Sequence, residues 1–155
     1  MIRQSGVTLI ELMIVVVIIG LLAVVVSPFT ITWIHEAQVN EAKSLLHHAH
    51  SEAKAVALRN PDEVIGNKVA ASVKLDMAGG IILVCRGSPG SNKCYEGGNN
   101  MVWVDKWPGV SSSVTQIEIN NRGQILMNNN PVLGGFTYSL IKGNVSDHDA
   151  TNQLR

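Results

Sequence analysis

Residues 6–28 read GVTLIELMIVVVIIGLLAVVVSP, an almost unbroken run of large apolar side chains with a glycine at its start. The run extends further, because no charged residue occurs among the 23 residues from Leu12 to Ile34. A helix of that length rises by about 34 Å, which is enough to cross the hydrocarbon core of a bilayer. The sequence therefore predicts one membrane-spanning helix, with a single acid, Glu11, close to its start.

The segment that precedes the apolar run, Met1–Gly6, does not have the pattern of a secretory signal peptide. Such a peptide places its apolar core before a cleavage site of small residues. Here the apolar core follows Gly6, lacks an Ala-x-Ala site at its far end and continues into Trp33 and a polar helix. Arg3 gives the short N-terminal flank a positive charge, which favours the cytoplasmic side. We expect the rest of the chain to lie on the other side of that membrane.

Gly6, the sequence Val7-Thr8-Leu9-Ile10-Glu11-Leu12 and an apolar helix with Gly20 and Pro28 resemble the N-terminal signature of type IV pilins and type II secretion pseudopilins. The resemblance extends from residue 1 to about residue 60. It implies cleavage after Gly6 by a prepilin peptidase and N-methylation of the new N-terminus at Val7, where the family usually has phenylalanine. It also implies roles in assembly for Glu11 and Pro28.

Glu11 allows two interpretations. A carboxylate costs of the order of 3 kcal/mol at the centre of a bilayer and less near an interface. In the first interpretation, Glu11 only reaches towards the cytoplasmic interface. In the second, it pairs with the α-amino cation of Val7 on a neighbouring helix, which compensates both charges and sets the axial stagger between subunits. The signature around Glu11 favours the second interpretation.

The resemblance also implies partners and a location. The partners are the prepilin peptidase, an assembly platform in the inner membrane, and other pilins or pseudopilins that contact this chain through helix packing. The chain is then a single-pass protein of the bacterial inner membrane, with a cytoplasmic N-terminus and a periplasmic domain, before it enters a pilus or pseudopilus.

The composition bounds what the remaining chain can do. The 155 residues include 12 basic and 12 acidic side chains, so the formal net charge is zero. About 120 residues remain beyond the apolar run, enough for one small domain. Proteins that bind nucleic acids usually carry a clustered basic face, and no basic block occurs here. DNA remains a possible partner that the charge does not support.

Two cysteines, Cys85 and Cys94, are the only ones in the chain. They are close in sequence, and the expected topology places them in an oxidising compartment, which favours a disulfide bond. Free thiols and a metal site are the alternatives. A zinc site is disfavoured because the C-x8-C spacing is wrong and no second cysteine pair exists. We expect no metal and no cofactor.

The pattern of apolar residues predicts an α+β, pilin-like fold in which a long helix packs on an antiparallel β-sheet. Residues 35–60 continue the helix with an apolar stripe of helical spacing, and Asn60-Pro61 ends it. Pro28 should kink or loosen the helix inside the span. The predicted strands are Val69–Leu75, Ile81–Arg86, Met101–Asp105, Val114–Asn120, Gln124–Met127 and Phe136–Ile141. The predicted segments are a leader (1–6), a transmembrane and filament-core helix (7–34), its outer half (35–60), a β-rich domain (61–141) and a polar, mobile tail (142–155).

Other side-chain groups give weaker signals. The histidines at 47, 48 and 50 lie close together on the helix, and we interpret them as solvated rather than metal-binding. Tyr95, Trp103 and Trp107 form either an exposed surface for a partner or, as we favour, core or half-buried sheet packing. Asp147-His148-Asp149 fits a solvated tail. No nucleophile with a positioned histidine is recognisable, so no enzyme is predicted.

Three short patches of the β-rich part resemble the FimT/GspH-type minor pilin and pseudopilin domain. They are Val84-Cys85 with Cys94, Met101–Asp105, and Ile117–Gly123. DNA-binding members of that group carry closely spaced arginines near the C-terminus, whereas here only Arg155 is basic in SDHDATNQLR. The sequence thus favours a minor pilin of a type IV pilus, ahead of a minor pseudopilin of type II secretion and a major pilin. A pilus-tip module that binds DNA or another ligand is a further alternative.

Overall fold

The computed structural model describes residues 7–147 and 153–154, without the side chains of residues 26–29. One helix, α1, spans Leu9–Arg59 and is 51 residues long. The chain divides into two compact units, Met1–Ile34 and His35–Arg155. The predicted α+β architecture, with a long N-terminal helix and an antiparallel sheet, is confirmed.

The first unit holds the apolar part of α1. Within the described residues, this is the one helix long and apolar enough to cross a membrane, judged by length and composition. The helix assignment continues through position 28, so the predicted kink at Pro28 does not interrupt it as an element. The side chain of Pro28 lies outside the described part of the structure, as does Gly6.

Among its described residues, the second unit contains residues 35–59 of α1 and eleven strands. Their bounds are β1 Val69–Asp76, β2 Ile81–Arg86, β3 Met101–Lys106, β4 Ser111–Ser112, β5 Gln116–Asn120, β6 Ile125–Met127, β7 Asn130–Pro131, β8 Phe136–Thr137, β9 Leu140–Lys142, β10 Val145–Asp147 and β11 Gln153–Leu154. Six strands form the main sheet in the order β3-β2-β1-β5-β6-β7. Two smaller antiparallel sheets, β10-β9-β4 and β11-β8, complete the unit.

The core lies between the helix and one face of the main sheet. The predicted apolar stripe of α1 is confirmed as buried, and it comprises Val39, Ala42, Leu46, Ala49, Ala53 and Val56. The register places Val73 of β1 opposite Val84 of β2 and Ile117 of β5. Because side chains alternate along a strand, these residues share one face and meet the helix together. Burial of this apolar area stabilises the unit.

The helix ends where the sequence predicts. Asn60 adopts a left-handed conformation with φ 47°, and its N–H donates to the Val56 carbonyl at 3.1 Å. Asparagine tolerates this conformation better than most residues, so it terminates the helix at little cost. Pro61, which follows, cannot continue a helix.

The small strands differ from the sequence prediction. The predicted strand Phe136–Ile141 is split into β8 and β9, and β4 and β7 were not predicted. Strands of two or three residues are too short to produce an alternating apolar pattern, so they could not be predicted from the sequence.

The prediction of a mobile tail over residues 142–155 is wrong for the described part of that segment. Strand β10 pairs with β9, and β11 pairs with β8, while Leu154 is buried in the core. Lys43 Nζ donates to Asp147 Oδ2 at 3.1 Å, which fastens β10 to the helix. These contacts join residues far apart in sequence, so local composition could not reveal them. His148 and Asp149, of the predicted solvated cluster, lie outside the described residues.

The predicted solvation of the three helix histidines is correct for two of them and wrong for His50. The His47 Nε2 lies 2.9 Å from the Tyr138 hydroxyl, and the His48 ring lies 5.1 Å from the Trp103 ring. His50 is buried, and its Nε2 has no hydrogen-bond partner among the described residues. Burial, followed by the positive charge of Lys54, lowers the pKa of His50 to about 4.

Truncating a core leucine tests the packing of helix on sheet. We expect Leu46→Ala to lower the free energy of unfolding by about 2–5 kcal/mol, since it removes a fully buried side chain and leaves a cavity. Leu58→Ala is the matched control, because Leu58 lies on the same helix and is 56% exposed. Urea unfolding of the detergent-solubilised chain, followed by tryptophan fluorescence, measures both. Equal destabilisation by the two changes would contradict the described core.

The buried histidine predicts a specific dependence of stability on pH. The pKa of His50 is about 4 in the fold against 6.5 as the ordinary value, so the unfolded chain binds more protons between these values. Acidification from pH 6.5 towards pH 4 therefore lowers the free energy of unfolding through this residue. We expect His50→Leu to reduce that loss, and His48→Leu, at an exposed position, to leave it nearly unchanged. Urea midpoints at pH 7 and pH 4.5 check this, and an undiminished loss in His50→Leu would refute it.

Candidate functional site

The start of α1 has a defined local geometry. The Glu11 backbone N–H donates to Thr8 Oγ1 at 3.3 Å, and the Leu12 N–H donates to the Thr8 carbonyl at 3.2 Å. Thr8 is thus the N-cap, and Glu11 is the third residue of the first turn. The sequence Thr8-Leu9-Ile10-Glu11 has the spacing of a capping box, a signal that would have identified Thr8 and that the sequence analysis missed.

The side chains around Glu11 are exposed and apolar. Every residue from 7 to 25 is exposed in the described structure. This surface includes Val7, Leu9, Ile10, Leu12, Met13 and Ile14, followed by valines, isoleucines and leucines as far as Val25. Soluble monomers rarely expose a continuous apolar surface of this extent, which marks a surface that meets a membrane or other proteins. The apolar helix therefore needs an environment that this chain does not itself provide within its described residues.

Glu11 is the one ionisable side chain in the described part of this apolar segment. Its carboxylate lies in the first turn of α1, where the positive end of the helix dipole favours a negative charge. No ion pair of Glu11 occurs among the described residues. Val7, the residue whose amine the sequence analysis proposed as the partner of a neighbour's Glu11, lies four residues earlier and is exposed.

The two cysteines form a disulfide bond, Cys85–Cys94, with their Cα atoms 5.7 Å apart. Both residues are buried, and they join Leu83 in a small cluster on the sheet face opposite the helix. Lys74 Nζ donates to the Cys94 carbonyl at 3.4 Å and holds the enclosed loop against the sheet. The alternatives of free thiols and a metal site are excluded for this pair. The disulfide is structural, since burial keeps it away from thiols in solution.

The aromatic residues divide between packing and surface. Trp107 is buried and its Nε1–H donates to the Val110 carbonyl at 2.6 Å, while Trp103 is half-buried against the core. Tyr95 is exposed. Among the described residues, no three His, Cys, Asp or Glu side chains come together in an arrangement that could hold a metal ion. The strongest candidate site is therefore the exposed apolar helix with Glu11 at its start.

Comparison with known proteins identifies this same N-terminal segment. Residues 1–27 match the family model described as the prokaryotic N-terminal methylation motif. Neither the curated proteins nor the solved structures compared with the chain give a match. The matched residues include Val7, Thr8 and Glu11, whose geometry is described above. The chain thus carries, at residues 1–27, the prokaryotic N-terminal methylation motif, which supports its resemblance to type IV pilins and pseudopilins.

Proposed function

We propose that this chain is a structural subunit, a minor pilin, of a type IV pilus, and that it assembles through its N-terminal helix. The observation that carries the proposal is the methylation motif on a helix whose side chains from 7 to 25 are all exposed. Prepilin peptidase cleaves after Gly6, and Val7 then becomes the methylated N-terminus. The chain remains in the inner membrane, with the second unit in the periplasm, until the assembly platform adds the chain to the filament.

The assembly step follows from the energetics of one acid in an apolar environment. An unpaired carboxylate in the membrane costs of the order of 3 kcal/mol at the bilayer centre. Methylation keeps the α-amino group of Val7 cationic, so each helix end offers one cation and, at Glu11, one anion. Pairing Glu11 of one subunit with the Val7 amine of the next compensates both charges and sets the stagger of the helices. The remaining apolar side chains then pack between neighbouring helices.

A minor pseudopilin of a type II secretion system is the second candidate, since the same motif and helix support it equally. The two candidate functions are distinguished by deleting the gene for this chain in its host and counting surface pili by electron microscopy. Loss of pili, with pili restored by a plasmid copy of the gene, supports the role as a pilus subunit. Unchanged pili together with exoproteins retained in the periplasm support the secretion system and contradict the pilus.

Replacing the acid tests the assembly step. We expect Glu11→Ala to be processed and retained in the membrane but incorporated into filaments at least about tenfold less, because the partner amine is left unpaired in an apolar environment. Immunoblots of sheared filaments and of membranes measure incorporation and processing separately.

Glu36→Ala is the matched control, because Glu36 is an exposed acid of the same helix beyond the apolar run. It should enter filaments normally. Normal incorporation of Glu11→Ala would contradict the proposed pairing of Glu11 with the Val7 amine.

A further inference from the structure

The main sheet has two unlike edges. Strand β7, at one edge, is two residues long and ends in Pro131, which has no N–H to offer to a further strand. Strand β3, at the other edge, spans the six residues Met101–Lys106 and contains no proline. Among the described residues, β2 is the one strand that pairs with β3. We call the unpaired side of β3 the open edge.

The register of β3 on β2 determines which backbone groups point to the open edge. The Trp107 N–H donates to the Gly80 carbonyl at 2.8 Å, so the backbone groups of Trp107 point towards the β2 side. Successive residues of an antiparallel strand alternate in this direction, so Asp105 also points its backbone groups towards β2. Val104 therefore directs its N–H and C=O to the open edge, and Lys106 directs its C=O there. Such a row of groups can pair with the backbone of another extended chain.

A small cavity of about 200 Å³ lies beside the open edge, and we call it the edge pocket. Residues of α1 and β3 line it together, namely Ser44, Leu45, His48, Trp103 and Asp105. The rings of His48 and Trp103, with centroids 5.1 Å apart, form an aromatic wall. Asp105 is exposed and makes no ion pair with any described residue. An aromatic wall beside a carboxylate without a counter-ion favours a lysine or arginine side chain as occupant.

We propose that β3 pairs along its open edge with an extended segment of a different subunit of the same filament, and that a basic side chain of this segment fills the edge pocket. The backbone of the segment bonds to Val104, and its cation meets the Asp105 carboxylate and the Trp103 ring. In strand addition of this kind, main-chain hydrogen bonds supply affinity and side-chain pockets supply specificity. The inference rests on the proposed function, because a minor subunit has other subunits as its neighbours in a filament.

A second copy of this chain does not have the chemistry that the edge pocket requires. Antiparallel pairing of two β3 strands must join residues that direct their backbone groups outward, so even-numbered residues oppose even-numbered ones. Directly opposed side chains share a face of the sheet, and neighbours along a strand take opposite faces. Lys106, the basic residue of β3, therefore lies on the face away from Asp105. A copy instead brings Trp103 or a second Asp105 to the pocket face, so the cation must come from a different chain.

Photo-cross-linking of the full chain in its host tests the choice of partner. The photoreactive amino acid p-benzoylphenylalanine replaces Val102, which is 44% exposed on β3, and sheared filaments are irradiated. We expect an adduct with a different protein that has its own N-terminal methylation motif, and mass spectrometry should map the bond to a segment with a lysine or arginine. The same amino acid at Met77, exposed in the turn between β1 and β2, is the control and should not give this adduct. An adduct with a second copy, or with a protein without the motif, overturns the choice of partner.

A proline at the open edge tests the backbone pairing. Val104→Pro removes an N–H that does not point to β2, so the pairing of β3 with β2 is retained while the open edge loses a donor. We expect Val104→Pro to reduce the adduct at least about tenfold. Val104→Ala is the matched control, because it also removes the valine side chain but keeps the N–H, and it should leave most of the adduct. Equal adduct yields from the two variants overturn the strand pairing.

A charge reversal tests the occupant of the edge pocket. Asp105→Arg places a cation where the proposed partner brings one, so we expect the adduct to fall about tenfold. Because Asp105 is exposed, the change leaves the core intact. Glu63→Arg is the matched control, since Glu63 is an exposed acid in the loop before β1, and it should leave the adduct unchanged. An undiminished adduct in Asp105→Arg overturns the basic occupant.

The outcomes also separate this inference from the proposed function. If the chain is present in sheared filaments and no adduct forms from position 102, the strand pairing is wrong and the proposed function stands. If the chain reaches no filament of any kind, the proposed function fails and the strand pairing fails with it.

Discussion

A single carboxylate at the start of a long apolar helix is the constraint on which the account depends. All side chains from 7 to 25 are exposed in the described structure, so this part of α1 must be covered by a membrane or by other helices. Lipid covers the apolar groups as well as a neighbouring helix does, and only the Glu11 charge distinguishes the two environments. In the proposed filament, the amine of Val7 supplies the missing partner. The pairing then directs the helix from lipid towards other subunits.

In the second unit, the same helix packs against a sheet. Residues 35–59 bury their apolar stripe on the main sheet, while the disulfide Cys85–Cys94 holds a loop on the opposite face. The bonds His47–Tyr138 and Lys43–Asp147 fasten the C-terminal strands to the helix. The unit therefore has its own core. Its loops expose large apolar side chains, including Ile65 and Leu133.

Sequence reasoning succeeded where a signal is local or periodic. The apolar run, the helix stripe and the stop at Asn60-Pro61 are all present as predicted. It failed where contacts between residues distant in sequence determine the local structure. His50 is buried because the whole unit closes over it, and residues 145–147 form a strand because β9 lies beside them. The pairing of Glu11 with the Val7 amine stays a prediction, because it joins two chains.

Mass spectrometry of the N-terminus of this chain in sheared filaments is the most direct test of the central claim. The account predicts that the chain in filaments begins at N-methylated Val7. In a strain without prepilin peptidase, the account predicts that the chain begins at Met1. In the proposed pairing, the cation at Val7 that faces Glu11 exists only after that cleavage. A chain that enters filaments with Met1–Gly6 still attached would contradict the account.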